Sequence, residues 1–232
     1  MLTMMPMAAC DGSNADPILP EQPGQPGNSD GGDEDDSTNP TNPIPGGNGR
    51  YLVLYCSRTG STERMAQQIQ QTLDCDILEV EPQTPYESDY NGMLNRAQEE
   101  LAAIRQGNYP AIKTSVEDFG NYDIVFVGYP IWYGSMATPM QTFLHNHASK
   151  LAGKRIALFA SSGSSGISAS VDEARTLCSG ATFTETLLLT SSTLSQMGNR
   201  IRTWLETLGA SRENNYPSTS TNVKITVGNR TI

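Results

Sequence analysis

From residue 51 onward, short apolar runs alternate with amphipathic segments. The runs predict five β-strands, at residues 51–56, 76–80, 123–129, 155–161 and, less regularly, 184–189. Runs this short, with few polar positions inside them, are typical of parallel strands that helices cover on both faces of the sheet.

Apolar residues at helical spacing predict a helix after each strand. In the first helix, Met65, Ile69 and Leu73 fall on one face. The other predicted helices cover residues 89–106, 136–150, 167–179 and 194–208, and Gly209 is well placed to end the last one. The helix at 89–106 is an addition to a long second connection, residues 82–122, which also contains Tyr86, Tyr90 and Tyr109. Alternating strands and helices predict an α/β three-layer sandwich with a five-stranded parallel sheet and helices on both faces.

Charge and composition divide the chain into a leader and a domain. Residues 11–49 contain eight acidic residues, no Lys or Arg, and seven of the 14 prolines, which predicts a disordered linker. Residues 50–232 contain 15 basic and 17 acidic residues, a net charge of −2. A domain so close to neutrality lacks the basic face of a strong nucleic-acid binder. The predicted folded domain is 50–209, followed by a polar extension, 210–232, which is either an edge strand through Val223, Ile225 and Val227 or a frayed tail.

The leader begins with Met7-Ala8-Ala9-Cys10, which resembles the cleavage box of bacterial lipoproteins. The resemblance implies that residues 1–10 are the remnant of a signal segment, that Cys10 carries a lipid, and that the domain is membrane-anchored outside the cytoplasm. The linker at 11–49 would then serve as a spacer. The alternative is a cytoplasmic protein in which Cys10 has no such role. The sequence contains no apolar run of the ~18 residues that a membrane-spanning helix needs.

Hydroxyl residues surround the turn between the first strand and the first helix. In an open α/β sheet, ligands bind beyond the carboxyl ends of the strands, so this turn is a candidate binding site. Its candidate binding residues are Ser57, Arg58, Thr59, Gly60, Ser61 and Thr62. Free N–H groups at a helix start favour an anion such as phosphate, and hydroxyls add donors without bulk. The alternative is an ordinary helix cap, but a cap needs one such residue and this turn has four.

Two further loops follow the third and fourth strands. The second loop has adjacent aromatic residues and the third has only small ones; their candidate residues are Pro130, Ile131, Trp132, Tyr133, Gly134, Ser161, Ser162, Gly163 and Gly166. Trp132 or Tyr133 can form a wall for a flat aromatic ligand, and the small residues let backbone approach its polar edge. The alternative is that both aromatic side chains pack into the core.

The first loop, Ser57-x-Thr59-Gly60-x-Thr62, resembles the phosphate loop of flavodoxins, and Pro130-x-Trp132-x-Gly134 is similar to the second loop of flavodoxin-like proteins that have a Trp there. The resemblance covers residues 51–209. It implies the strand order 2-1-3-4-5, FMN as cofactor, and a phosphate held by Ser57, Thr59, Gly60, Ser61 and Thr62. Many flavodoxins have a stacking tyrosine in the third loop, which is absent between residues 160 and 169. One face of the flavin is therefore expected to be less covered, or covered by a tyrosine of the 82–122 segment.

The resemblance implies electron transfer to a redox partner protein or to a small acceptor such as a quinone. One alternative is an FMN-dependent NAD(P)H:quinone-type reductase, because the small third loop leaves room for a second ring. Another is a surface-tethered binding module without flavin. A tyrosine phosphatase is excluded, since Cys56 has Thr62, not Arg, six positions later.

The remaining candidate ligands are few. Cys56, Cys75 and Cys178 have no metal-ligand spacing and are expected to be free buried thiols, although spacing does not exclude a disulfide. His145 and His147 are two residues apart on a predicted helix and so point in different directions. No metal site is predicted.

Overall fold

The structure is a computed structural model that describes residues 50–212. Cys10, the acidic linker and the segment containing Val223, Ile225 and Val227 lie outside the described residues. The strands are β1 Tyr51–Tyr55, β2 Asp76–Glu79, β3 Ile124–Trp132, β4 Ser135–Met136, β5 Arg155–Ser162, β6 Thr182–Phe183 and β7 Leu187–Thr190. The helices are α1 Ser61–Leu73, α2 Tyr90–Ile104, α3 Thr138–His147, α4 Ser168–Leu177 and α5 Met197–Thr207, with a 3-10 turn at Leu194–Gln196 before α5.

The main sheet is parallel and has the order β2-β1-β3-β5, with β6 and β7 beside β5. This confirms the predicted order 2-1-3-4-5. The prediction of one fifth strand at 184–189 is wrong in its extent. Two short strands share that position: β6 pairs with Arg155 and Ile156 at the start of β5, and β7 pairs with residues 159–162 at its end. The Thr184 N–H still donates to the Ile156 carbonyl at 3.0 Å, and residues 185–186 then separate the two short strands.

Two apolar layers flank the sheet. On one face, α1 and α5 pack through Met65, Ile69 and Ile201, and on the other α3 contributes Met140 and Phe143. These residues are essentially inaccessible to solvent. The two layers confirm the predicted three-layer sandwich.

The chain after β3 forms a hairpin where the sequence predicts a loop. β3 continues through Pro130 and Ile131 to Trp132, and β4 pairs antiparallel with its last two residues. The two turn residues, Tyr133 and Gly134, have φ of 51° and 79°, the signs that a tight type I′ turn requires. The predicted helix at 136–150 therefore begins too early, because Met136 belongs to β4.

All three cysteines of the described domain are free and buried, which confirms the prediction for Cys56, Cys75 and Cys178. Burial raises the pKa of Cys75 to about 12 and that of Cys178 to about 11, and it raises the pKa of Cys56 further. A thiol that stays protonated is a poor nucleophile. Cys56 is thus a residue of the core.

Between residues 50 and 212, no helix has the length and apolarity to span a bilayer. Over the same range, no three His, Cys, Asp or Glu side chains are grouped so that they could hold a metal ion.

His147 is buried at the end of α3, and both of its ring nitrogens have hydrogen-bond partners. Its Nδ1 lies 2.8 Å from the Phe143 carbonyl oxygen, and its Nε2 accepts from the Val116 N–H at 3.2 Å. Burial lowers its pKa from the usual 6.5; nearby Lys150 lowers the pKa as well, while the bond to Phe143 and the charge of Glu117 oppose the shift.

We expect the free energy of unfolding to fall as the pH drops below about 6.5, because the unfolded chain then binds a proton at residue 147 that the folded chain resists. Urea unfolding between about pH 5.5 and 7.5 measures this dependence. His147→Gln should flatten it. An equally steep dependence in the variant would show that another group is responsible.

Candidate functional site

The carboxyl ends of β1, β3 and β5 bring the three predicted loops together. The Cys56 N–H donates to the Gly128 carbonyl at 3.0 Å, and Pro130 lies opposite Ser161 in the pairing of β3 with β5. The loop after β1 therefore adjoins the loop after β3, which adjoins the loop after β5. This places the sequence-predicted residues at one edge of the sheet.

The first loop presents donors without partners. Gly60 precedes α1 with φ of 82°, and no side chain caps the helix. Its first N–H groups are therefore available to a ligand. The Ser57 hydroxyl and the Arg58 Nε are buried and have no hydrogen-bond partner among residues 50–212. A bound anion would satisfy these donors, so the residues fit a phosphate group.

The Thr62 hydroxyl, one of the predicted phosphate contacts, has a hydrogen-bond partner at the end of β5. It lies 2.8 Å from the hydroxyl of Ser161, and both side chains are buried. This hydrogen bond ties the start of α1 to the end of β5. Thr62 thus links the first loop to the third, while Thr59 and Ser61 lie nearer the surface.

Arg58 is directed toward the long connection between β2 and β3. One terminal nitrogen of its guanidinium donates to the carbonyls of Glu87 and Ser88, both at 2.8 Å. The Arg58 side chain therefore connects the first loop to residues 87 and 88.

The two aromatic side chains of the second loop are not both buried in the core. Tyr133, at the tip of the hairpin, is 50% exposed, whereas Trp132 is half-buried and packs against one of the core clusters. The Trp132 ring contacts Tyr86 edge to face, with centroids 5.1 Å apart. After the turn, the Met136 N–H donates to the Glu173 carboxylate at 2.8 Å, which fastens the hairpin to α4.

The third loop is open and built from small residues. The Ser162 hydroxyl donates to the Ser165 carbonyl at 2.7 Å, and the Ser191 N–H lies near the carbonyls of Ser162 and Gly163. Residues 163–166, including Gly166, are exposed. The loop places backbone beside the second loop and provides no aromatic cover.

Comparison with known proteins decides the family. The family profile described as Flavodoxin matches residues 50–208, more than half of the chain. The chain belongs to the flavodoxin family. Among curated proteins, none matches this flavodoxin.

Solved structures resemble this flavodoxin over most of its folded part. A protein from Bacteroides eggerthii, assigned as a flavoprotein, is 32% identical with a TM-score of 0.58, and the match covers 69% of this chain and 98% of that one. A similarly assigned protein from Bacteroides uniformis is 28% identical with a TM-score of 0.56, covering 68% and 99%. A flavoprotein from Lactobacillus acidophilus, solved in complex with FMN, is 26% identical with a TM-score of 0.52, covering 64% and 97%.

The 82–122 segment brings one of its tyrosines to the site of this flavodoxin. Tyr86 contacts Trp132, whereas Tyr109 stacks on His145, with centroids 3.8 Å apart. Tyr90, at the start of α2, is 51% exposed. The sequence predicted that some tyrosine of this segment could cover the flavin, and it did not distinguish Tyr86 from the others.

Sequence reasoning missed the polar residues that surround Tyr86. Its hydroxyl donates to Glu100 and lies 2.7 Å from the Thr138 hydroxyl, and Arg96 pairs with Glu100 at 2.8 Å. The spacing of Arg96 and Glu100, four residues apart on a helix, was the one available signal.

Proposed function

We propose that this chain binds FMN with its phosphate in the first loop. The observation that carries the proposal is the pair of buried donors without partners, Ser57 Oγ and Arg58 Nε, beside the uncapped start of α1. The backbone around Gly60 is the expected phosphate contact, together with the hydroxyls of Thr59 and Ser61. The FMN complex of the Lactobacillus acidophilus relative supports the choice of ligand.

The isoalloxazine ring would lie between the second and third loops. Trp132 and Tyr133 offer aromatic surface on one side, next to Pro130, Ile131 and Gly134. Backbone of Ser161, Ser162, Gly163 and Gly166 offers polar groups to the edge of the ring. The Thr62–Ser161 hydrogen bond would keep the phosphate end and the ring end at a fixed separation.

The function that we propose is electron transfer. Bound FMN supplies the redox chemistry, and the residues of the chain bind it, orient it and limit the access of water. The electron acceptor is a redox partner protein or a small molecule such as a quinone. Because residues 50–232 have a net charge of only −2, attraction between opposite charges contributes little to the choice of partner.

A second candidate is an FMN-dependent NAD(P)H:quinone-type reductase. The specific observation in its favour is the exposed third loop, whose small residues leave space over the ring for a second planar molecule. Direct hydride transfer between NAD(P)H and the flavin requires the nicotinamide ring to lie against the flavin ring in this way.

We expect the purified protein to be yellow and, once reduced chemically, to pass electrons to a one-electron acceptor such as ferricyanide. NAD(P)H should not reduce the bound flavin, and adding a quinone should not cause NAD(P)H to be oxidised. Stopped-flow absorbance in the absence of oxygen measures both reactions. Rapid oxidation of NAD(P)H that depends on quinone would replace the carrier function by the reductase, and a colourless protein that ignores added FMN would indicate a binding module.

We further propose that Cys10 anchors the protein to a membrane outside the cytoplasm, with residues 11–49 as the spacer. The sequence Met7-Ala8-Ala9-Cys10 supports this proposal. Mass spectrometry of protein extracted from the native membrane should find a lipid on Cys10. Full-length soluble protein with an unmodified Cys10 would contradict it.

A further inference from the structure

Residues 84–88, which we call the strap, precede α2 and are held by two arginines. Arg96 donates to the carbonyls of Thr84 at 2.9 Å and Pro85 at 2.8 Å. Arg58 donates to those of Glu87 and Ser88, both at 2.8 Å. Four of the five carbonyls of the strap therefore accept a charge-assisted hydrogen bond. Four charge-assisted hydrogen bonds to five residues restrict the conformation of the strap's backbone.

The middle residue of the strap, Tyr86, is turned inward. Its hydroxyl lies between Glu100 and Thr138, and the Arg96 guanidinium lies 4.2 Å from the centre of its ring. Burial and the hydrogen bond to Glu100 raise the pKa of Tyr86, so the hydroxyl keeps its proton. Tyr86 is consequently held at both its ring and its hydroxyl.

The strap is also packed tightly against α2. A Cβ added to Gly92 would lie 3.0 Å from the Cβ of Glu87 and 2.7 Å from a carboxylate oxygen of Asp89. The Asp89 carboxylate itself accepts from the Gly92 N–H at 2.7 Å and caps the helix. The strap has little freedom to shift along the helix.

The strap connects two parts of the candidate site. Arg58 belongs to the first loop, and the ring of Tyr86 contacts Trp132 of the second loop at an interplanar angle of 80°. Trp132 is only half-buried, so few contacts hold its ring, and each of them matters for its orientation. Tyr86 is the aromatic neighbour of Trp132 within the described residues.

We propose that the strap is a positioning element for the ligand's ring system: Tyr86, fixed by Arg58 and Arg96, holds Trp132 in the orientation in which it contacts the flavin. The proposal rests on the proposed function, because it assigns a role toward FMN. Arg96 and Tyr86 are positioning residues that act through Trp132. The strap would thus affect binding of the ring irrespective of whether the ligand has a phosphate.

The test compares FMN with riboflavin, which has the ring and lacks the phosphate. In Arg96→Met, the affinities for both ligands should fall by the same factor, about three- to tenfold, the range expected for loss of one aromatic edge contact. Arg105→Met, at the exposed residue that directly follows α2, is the matched control and should change neither affinity. Tyr86→Leu should reproduce the loss, whereas Tyr86→Phe, which keeps the edge contact, should restore most of the affinity.

A second readout needs no flavin. The chain has two tryptophans, and Trp204→Phe leaves Trp132 as the only one, which excitation at wavelengths beyond the tyrosine absorption band selects. In that background, Arg96→Met and Tyr86→Leu should shift Trp132 emission to longer wavelength and increase its quenching by iodide, while circular dichroism reports that the protein is folded.

The outcomes separate this proposal from the proposed function. Unchanged affinities and unchanged emission would overturn the strap's role, as would a loss confined to FMN, which would place its effect at the phosphate. Failure of the parent protein to bind either flavin would refute the proposed function, and the emission of Trp132 would still decide whether the strap orients that side chain. If Arg96→Met does not fold, the comparison of Tyr86→Leu with Tyr86→Phe gives the same decision.

Discussion

Ser61→Asp should weaken FMN binding by about a hundredfold or more and leave riboflavin binding unchanged. Ser61 is the first residue of α1, and no side chain caps the helix there. A carboxylate at this position faces the site proposed for the phosphate, and two like charges in contact repel strongly. A hundredfold change corresponds to about 2.7 kcal/mol, which is within reach of such repulsion.

The same substitution should not weaken the fold. An acidic residue in the first turn interacts favourably with the helix dipole, typically by ~0.3–1 kcal/mol. The melting temperature of the flavin-free protein should therefore stay the same or rise while FMN affinity collapses. Ser61→Asn, similar in size and uncharged, is the control and should retain most of the affinity. An equal loss for FMN and riboflavin, or no loss at all, would place the phosphate elsewhere.

Gly128→Ala should destabilise the domain by about 3 kcal/mol or more, at the upper end of the range for an overpacked core. Gly128 lies in β3 between β1 and β5, opposite Tyr55 and Phe159. A Cβ at this position would lie 2.1 Å from the tip of the Phe159 ring. The ring is fully buried and lies edge to face with Trp204, so its displacement would disturb the packing of the core.

Urea unfolding of the full chain measures this loss. Gly198→Ala is the matched control: no heavy atom lies within 4 Å of the added Cβ, and alanine in a helix is favoured over glycine by ~1 kcal/mol. Adding Phe159→Leu to Gly128→Ala should recover part of the stability, because the shorter side chain vacates the contact. A Gly128→Ala protein as stable as the parent would mean that the core at this point is looser than the structure indicates.

The strands and the layers were predictable from the sequence because burial on both faces of a parallel sheet leaves a simple apolar pattern. The strand order came only from the resemblance to flavodoxins. The hairpin after β3 was not predictable. It needs positive φ at Tyr133, a conformation that residues other than glycine seldom adopt, so Gly134 alone was a weak signal for the turn. The division of the fifth strand also escaped prediction, since it depends on which residues of the edge chain pair with β5 and not on local propensity.

The candidate site, like the fold, was predictable only in part. The hydroxyl-rich turn around Gly60 was predictable because a helix start has intrinsic affinity for anions. The use of the Thr62 hydroxyl to hold Ser161, 99 residues away, was not, because sequence spacing does not show which polar groups pair across a fold. The role of Arg58 in fastening the strap was hidden for the same reason.

The most direct test of the account is a fluorescence titration of FMN and riboflavin with the full chain. Binding beside Trp132 should quench the flavin emission, with an end point at one FMN per chain. Riboflavin should bind about a hundredfold more weakly, since it lacks the group that the first loop would hold through charge-assisted hydrogen bonds. Emission that stays constant as protein is added, or equal affinities for the two flavins, would contradict the assignment of the turn at Ser57–Thr62 as a phosphate site.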